Sequence, residues 1–241
     1  KTPDNVKTLL DDTIPMGGSQ HQKIVLIDNE IVFSGGMDIS TKRWDTRDHP
    51  IVSKERVEPD GEYPPLHDVQ IVSAGPVVRE FAELVHWRWQ RVAEEQPQNL
   101  HELSHNNAEH RLPASWPEGV VPIFKDVDCA LSRTVPFMDD VEPAQEVRRM
   151  LLDLINQAEH FIYIENQFTT RQEIAEALNK RLKAKPSLVV LIVSSYEPKG
   201  KFECEAFWAS RIDFKNIIEY GITSHRVMIA CSSITDEEGQ T

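Results

Sequence analysis

Residues 21–38, HQKIVLIDNEIVFSGGMD, form the stretch of sequence that says most about the fold. Two short apolar runs rich in Ile and Val flank the pair Asp28-Asn29. Such runs around an Asp-Asn pair are typical of a β-hairpin, because both residues tolerate the backbone conformation of a tight turn. The pattern therefore predicts two antiparallel strands, with a bend at Gly35-Gly36 where the return strand ends.

The same stretch places four polar side chains at spacings that suit chemistry on a phosphate group. Alternate residues of a strand point to one face, so we expect His21 and Lys23 to project together. A lysine neutralises non-bridging phosphate oxygens, while a histidine attacks phosphorus or moves a proton near neutral pH. We expect Asp28 to organise the hairpin and Asp38 to reach back to the His–Lys face. The alternative is an ordinary hairpin with a surface histidine and lysine, because short motifs also match by chance.

Downstream of this stretch the sequence predicts a loop, a strand and a helix. Residues 44–65 are polar, contain prolines and lack a hydrophobic period, which indicates a loop. Residues 67–72 alternate polar and apolar side chains as a strand does, and a Gly-Pro pair then precedes a helix with an apolar stripe. We therefore assign residues 1–95 to a first domain.

Residues 96–120 are poor in apolar side chains and contain three prolines, which indicates a linker. This segment carries His101, His105 and His110, whose spacing leaves open a metal site on one helical face. A solvated linker is the interpretation we favour, and we predict neither a metal ion nor another cofactor.

Residues 121–241 alternate between predicted strands and helices and form a second domain. The predicted strands are residues 160–164, 188–193 and 226–231, and the predicted helices are residues 143–158, 171–184 and 203–219. The nearly continuous apolar run of the second strand is typical of a covered parallel sheet. The sequence thus predicts an α/β fold, a mixed β-sheet flanked by helices. Glu165, Asn166 and Gln167 follow a strand at its carboxyl end, where open α/β sheets place ligands.

Composition excludes several classes of protein. The 241 residues include 26 Lys and Arg against 39 Asp and Glu, a net charge of −13. An acidic surface repels polyanions, which argues against a nucleic-acid partner. No apolar run approaches the roughly 20 residues of a membrane-spanning helix. The cysteines, Cys129, Cys204 and Cys231, are widely spaced and predict buried reduced thiols rather than disulfides or a zinc site.

Residues 21–38 resemble the HxKxxxxD signature of the phospholipase D superfamily, in the form that is followed by Gly-Gly-x-Asp. Three further segments are similar to the phospholipases D that act on phosphatidyl lipids. They are Arg43-Trp44-Asp45, residues 64–69 (PPLHDV) and residues 161–168 (FIYIENQF). Together these segments cover most of the chain in the order in which the family has them.

This resemblance implies that His21 is a catalytic histidine, Lys23 a phosphate-binding lysine and Asp28 the signature aspartate, all three being residues of the catalytic site. It implies a substrate contact for Asp38, although many members of the family carry Asn at that place. It also implies a polar rim near the phosphate for residues 165–167, with a structural carboxylate or a helix cap as the alternative.

Members of this family pair two such signatures, whereas no second copy follows residue 38 in this sequence. We therefore expect a fragment that holds one half of a phospholipase D-like fold and the beginning of a second pseudo-repeat. A missing C-terminal half would supply the second catalytic motif, and the fragment alone is expected to be inactive.

The resemblance further implies hydrolysis of the distal phosphodiester of a phosphatidylcholine-like lipid at a membrane surface. The products would be phosphatidate and a free alcohol, formed through a phosphohistidine, with head-group exchange (transphosphatidylation) as a further reaction. The alternatives are a cardiolipin synthase-like phosphatidyltransferase and a phosphate-binding module without turnover. The compartment stays open, with the cytoplasm or a membrane periphery expected.

Overall fold

The computed structural model describes residues 6–16, 18–59, 61–95, 116–138, 141–195, 201–223 and 225–233. Side chains of residues 95 and 201–207 lie outside this description. The chain divides into two compact units, residues 1–144 and 145–241. Most of the predicted linker, with His101, His105 and His110, falls outside the described residues, so its prediction stays a prediction.

The first unit is built on a three-stranded antiparallel sheet. Its elements are β1 (Lys23–Ile27), β2 (Ile31–Gly35), β3 (Val57–Glu58), β4 (Gly61–Glu62), β5 (Gln70–Ala74), α1 (Val77–Glu95) and β6 (Thr134–Val135). The strand order is β1-β2-β5, with β2 in the centre. The long helix α1 lies against this sheet and buries Val78 and Val92 at 1% and 2% exposure. The predicted strand and helix are confirmed, although the strand begins three residues later than predicted.

The predicted hairpin is confirmed in its register and in its turn. β1 and β2 are antiparallel, with Lys23 opposite Gly35 and Ile27 opposite Ile31. Asp28 and Asn29 both have positive φ angles, 52° and 56°, as in the primed turns that suit the twist of a hairpin. The Glu30 amide donates a hydrogen bond of 3.0 Å to the Ile27 carbonyl and closes the turn.

The second unit contains a parallel sheet with crossover helices. Its elements are α2 (Glu146–Gln157), β8 (Phe161–Glu165), α3 (Gln172–Ala184), β9 (Val189–Val193), α4 (Lys201–Glu219) and β10 (Val227–Ala230), and strand β7 (Ala144–Gln145) runs into α2. The strand order is β10-β9-β8, and both pairings are parallel. The central strand β9 buries Val190 and Ile192 completely, which explains its apolar sequence. The predicted βαβαβ series is confirmed.

Three features differ from the sequence predictions. The class is α/β, but in the described part of the chain no sheet mixes strand directions, because hairpin strands and crossover strands belong to separate units. Cys129 and Cys231 are free but exposed rather than buried. Residues 44–65 are not wholly irregular, since β3 and β4 pair within them. No helix in the described ranges is long and apolar enough to cross a membrane.

Candidate functional site

Three charged side chains meet beside the end of the hairpin in the first unit. The Lys23 Nζ atom lies 3.2 Å from the Asp38 Oδ1 atom and donates a hydrogen bond of 3.0 Å to the His21 carbonyl. The Arg43 Nη2 atom lies 3.5 Å from the Asp38 Oδ2 atom. Asp38 therefore bridges two cations, one of which contacts the His21 backbone, an arrangement called the Lys23–Asp38–Arg43 triad below.

Lys23 is held more firmly than an ordinary surface lysine. Its side chain is 13% exposed, whereas those of Asp38 and Arg43 are 44% and 37% exposed. The hydrogen bond from Lys23 is the largest cause that holds the pKa of Asp38 below its usual value, and the charges of Lys23 and Arg43 act in the same direction. Asp38 is therefore ionised at neutral pH, and it holds Lys23 in a position from which the lysine can bind an anion.

His21 is exposed and lies two residues before β1 rather than within it. The strand begins at Lys23 because its partner β2 ends at Gly35, and the Gly36 amide donates instead to the Val69 carbonyl. The predicted strand position of His21 is therefore wrong, although the Lys23 side chain still returns to the His21 backbone.

The two glycines allow the chain to turn towards Lys23. A Cβ atom on Gly35 would lie 2.2 Å from the Val69 carbonyl oxygen, and one on Gly36 would lie 2.3 Å from the Asp68 Oδ1 atom. Only glycine fits such close approaches without a shift of the neighbours. The bend that these glycines form brings the chain round to Asp38, which contacts Lys23 as the sequence predicted.

Asp28 lies just beyond the opposite end of β1 from Lys23, and the strand between them, Lys23–Ile27, is about 13 Å long. It is exposed and occupies the turn at φ 52°. The geometry fits the predicted role of Asp28 as an organiser of the hairpin, and does not bring it to the triad.

Sequence reasoning missed a buried polar cluster in the loop after the triad. The Asp45 Oδ2 atom lies 2.6 Å from His49 Nδ1 and accepts a hydrogen bond of 2.8 Å from the Leu66 amide. The Asp45 Oδ1 atom lies 3.5 Å from the Nη1 atom of Arg56, whose side chain is 1% exposed. Arg56 also donates to the carbonyls of Pro50 and Ile51. The quoted segment Arg43-Trp44-Asp45 was the available signal, but nothing in it showed that Arg56 would be the partner.

Hydrogen bonds decide the charge of the Asp45 carboxylate. Burial alone would raise its pKa, but hydrogen bonds from His49 and from the Thr46 and Leu66 amides outweigh burial and lower the pKa below its usual value. The loop that carries Arg43 is therefore tied down by an ionised, nearly buried carboxylate.

Glu165, Asn166 and Gln167 belong to the second unit and lie at the carboxyl end of β8, all three exposed. The Tyr163 hydroxyl donates 3.0 Å to Glu165, which raises the pKa of Tyr163. Asn166 Oδ1 accepts from the Phe168 amide at 2.9 Å. The Gln167 carbonyl accepts from Arg211 at 2.8 Å, and Arg211 was not singled out in the sequence. Hydrogen bonds within the segment and from Arg211 thus hold residues 165–167 in place.

Among the residues that the structure describes, no group of three or more His, Cys, Asp and Glu side chains could hold a metal ion.

Comparisons with known proteins give distant relatives. No family model matches the chain. The chain is 22% identical to Phospholipase D beta 2 of Arabidopsis thaliana over 253 residues, 76% of this chain and 27% of that protein. It is 23% identical to Phospholipase D gamma 1 of the same plant over 205 residues, 62% of this chain and 23% of that protein. It is 23% identical to Phospholipase D1 of Saccharomyces cerevisiae over 206 residues, 62% of this chain and 11% of that protein.

These similarities support a relationship to the phospholipase D superfamily and, with it, to enzymes of the hydrolase class that act in phospholipid metabolism. The chain spans about a quarter of the length of the plant relatives and about a tenth of the yeast relative.

Proposed function

We propose that the chain is the first catalytic half of a phospholipase D-type phosphodiesterase. The observation that carries the proposal is the exposed His21 beside a lysine whose ammonium group is fixed by Asp38 and by the His21 carbonyl. A histidine next to an immobilised cation suits attack on a phosphodiester, because the lysine stabilises the charge that develops on the non-bridging oxygens. The substrate class proposed is a phosphatidylcholine-like lipid at a membrane surface.

The reaction has two displacements at phosphorus. A histidine nitrogen attacks phosphorus, the bond to the head-group oxygen breaks, and a second histidine donates a proton to the leaving alcohol. Water, deprotonated by that second histidine, then attacks the phosphohistidine and releases phosphatidate. An alcohol in place of water gives a phosphatidyl ester, which is head-group exchange.

His21 can take one of these two places but not both, since the nucleophile and the acid lie on opposite sides of phosphorus. We propose that sequence beyond this chain supplies the second signature. The proposal is compatible with the greater length of the plant relatives, of which this chain spans about a quarter. Glu165, Asn166 and Gln167 are proposed as a polar rim that contacts the lipid head group. No cofactor is required for this chemistry.

The test is release of choline from phosphatidylcholine vesicles by the 241-residue chain and by the product of its continued reading frame. We expect turnover only by the longer protein, because the 241-residue chain contains one copy of the signature and so lacks the histidine of the second copy. His21→Ala in the longer protein should lower turnover by at least the 10²–10⁴-fold typical of a lost proton-transfer group. Lys23→Met should slow turnover while the protein stays folded by circular dichroism.

Matched controls separate chemistry from general damage. His225→Ala and Lys125→Met remove exposed side chains of the same types outside the motif, and should leave turnover unchanged. Near-normal choline release by His21→Ala would overturn the proposal. Adding a primary alcohol distinguishes hydrolysis from exchange, since exchange yields a phosphatidyl ester of that alcohol instead of phosphatidate.

A further inference from the structure

The net charge of the triad affects which class of phosphate ester it would bind. Lys23 and Arg43 each contribute one positive charge, and Asp38 contributes one negative charge within 3.5 Å of both. The triad as a whole therefore presents a single positive charge to a ligand.

Phosphodiesters and phosphomonoesters differ in the charge that such a site must balance. A phosphodiester has one ionisable oxygen and carries one negative charge at neutral pH. A phosphomonoester has a second pKa near 6 and carries almost two negative charges above pH 7. One net positive charge matches the diester, and a site with two would favour the monoester.

We propose that Asp38 is a specificity-determining residue, which tunes the Lys23–Arg43 pair for a singly charged phosphodiester and against a doubly charged phosphomonoester. The inference rests on the proposed function, because it assumes that the triad faces the phosphate. It adds that the site discriminates between the diester substrate class and the monoester that hydrolysis produces, so the product is released more readily.

Asp38 could instead act only as a scaffold that holds the two cations in place. The two roles predict opposite effects of Asp38→Asn, which keeps the shape and one acceptor oxygen but removes the charge. Loss of a scaffold weakens the binding of every anion. Loss of a repelling charge strengthens the binding of both ligands, and strengthens the dianion more. Lys23, which is 13% exposed, keeps its hydrogen bond to the His21 carbonyl and one acceptor oxygen of the new amide.

The expected magnitude is a Coulomb estimate for a phosphate that is bound by Lys23 and Arg43. One charge about 6 Å from the ligand in a water-like medium changes affinity about threefold for each unit of ligand charge. Asp38→Asn should therefore tighten the diester about threefold and the monoester about tenfold at low salt. The ratio of the two affinities should shift about threefold towards the monoester.

The experiment titrates the 241-residue chain with two probes that differ only at phosphorus. The probes are dihexanoyl-phosphatidylmethanol, a diester, and dihexanoyl-phosphatidate, a monoester, both below their micellar concentrations. Binding is followed by calorimetry or by amide chemical shifts at low ionic strength and about pH 8, where the monoester is doubly charged. Asp38→Glu keeps the charge and should leave the ratio unchanged. Arg43→Gln removes a cation and should shift the ratio the other way.

The outcomes separate this inference from the proposed function. Loss of both ligands in Lys23→Met, with an unchanged ratio in Asp38→Asn, overturns the inference and leaves the proposed phosphate site standing. Equal weakening of both ligands by Asp38→Asn shows a scaffold and also overturns it. If neither probe binds the unaltered chain in a Lys23-dependent manner, the proposed site and the inference both fail.

Discussion

Two aspartates of the first unit, Asp38 and Asp45, are stabilised by neighbouring cations or hydrogen-bond donors. Asp38 is held between Lys23 and Arg43, and Asp45 is held by His49, Arg56 and two backbone amides. Asp45 differs in its burial, because its side chain is 7% exposed while that of Asp38 is 44% exposed. An ionised carboxylate at such a depth depends on its partners, since an unpaired buried charge is costly.

The pH dependence of stability should reveal the Asp45 cluster. The pKa of Asp45 is lowered in the folded chain, so protons bind the unfolded chain more readily. Its contribution is therefore complete above the unfolded value near 3.9 and is lost as the pH falls through the lower folded value. Asp45→Asn should cost about 1–3 kcal/mol near neutral pH and less under acid conditions. Urea unfolding at several pH values measures the difference.

Asp48→Asn is the matched control, because Asp48 is an exposed aspartate in the same loop. It should change the unfolding free energy little at any of these pH values. A constant stability difference between Asp45→Asn and the unaltered chain down to strongly acid pH would contradict the proposed charge of the cluster.

The hairpin illustrates how an element is specified by its turn and its end together. The turn is local, since positive φ angles at Asp28 and Asn29 suit those residue types in isolation. The end is not local, since Gly35 and Gly36 are required by the approach of residues 68–70 from the neighbouring part of the chain. Sequence patterns therefore predict the turn with its mechanism, but predict only that the glycines form a bend.

Alanine substitutions at the two glycines should have unequal effects. A Cβ on Gly35 meets backbone, the Val69 carbonyl at 2.2 Å and the Gln70 Cα at 2.7 Å, so β2 and β5 must separate. A Cβ on Gly36 meets the side chain of Asp68, which can rotate at the cost of its hydrogen bond to the Val69 amide. Gly35→Ala should therefore destabilise the chain more than Gly36→Ala in urea unfolding. Equal effects of the two substitutions would show that the Asp68 side chain is fixed as firmly as backbone.

At the scale of single elements, the sequence predicts features that depend on neighbouring residues and misses those that depend on distant ones. The βαβαβ series was predictable because helix and strand periods are local, and Leu178, Leu182 and the apolar strand β9 carry them plainly. The Asp45 cluster was not predictable, because Asp45 and Leu66 are 21 residues apart in sequence and the loop between them has no hydrophobic period. Of the candidate site, the contact between Lys23 and Asp38 was predicted, while the role of Arg43 required coordinates.

The whole molecule consists of two compact units with different sheets, an antiparallel one behind the triad and a parallel one that carries residues 165–167. This division accounts for the failure of the predicted mixed sheet, because strand direction is set by how strands are connected within each unit. The net charge of the chain is −13, so the triad is a local positive site on an acidic protein. On this account His21 reacts with a phosphodiester that Lys23 holds.

The most direct test is to trap the covalent intermediate on the 241-residue chain. A short-chain phosphatidyl ester of p-nitrophenol serves as the probe, because p-nitrophenolate leaves as a stable anion and needs no proton from a second histidine. His21 should attack phosphorus, release p-nitrophenolate and retain the phosphatidyl group as a phosphohistidine, which acid cleaves and alkali does not. Peptide mass mapping should place the label on His21, with much slower labelling in Lys23→Met and unchanged labelling in His225→Ala. Labelling that persists in His21→Ala, or that maps to another histidine, would contradict the claim.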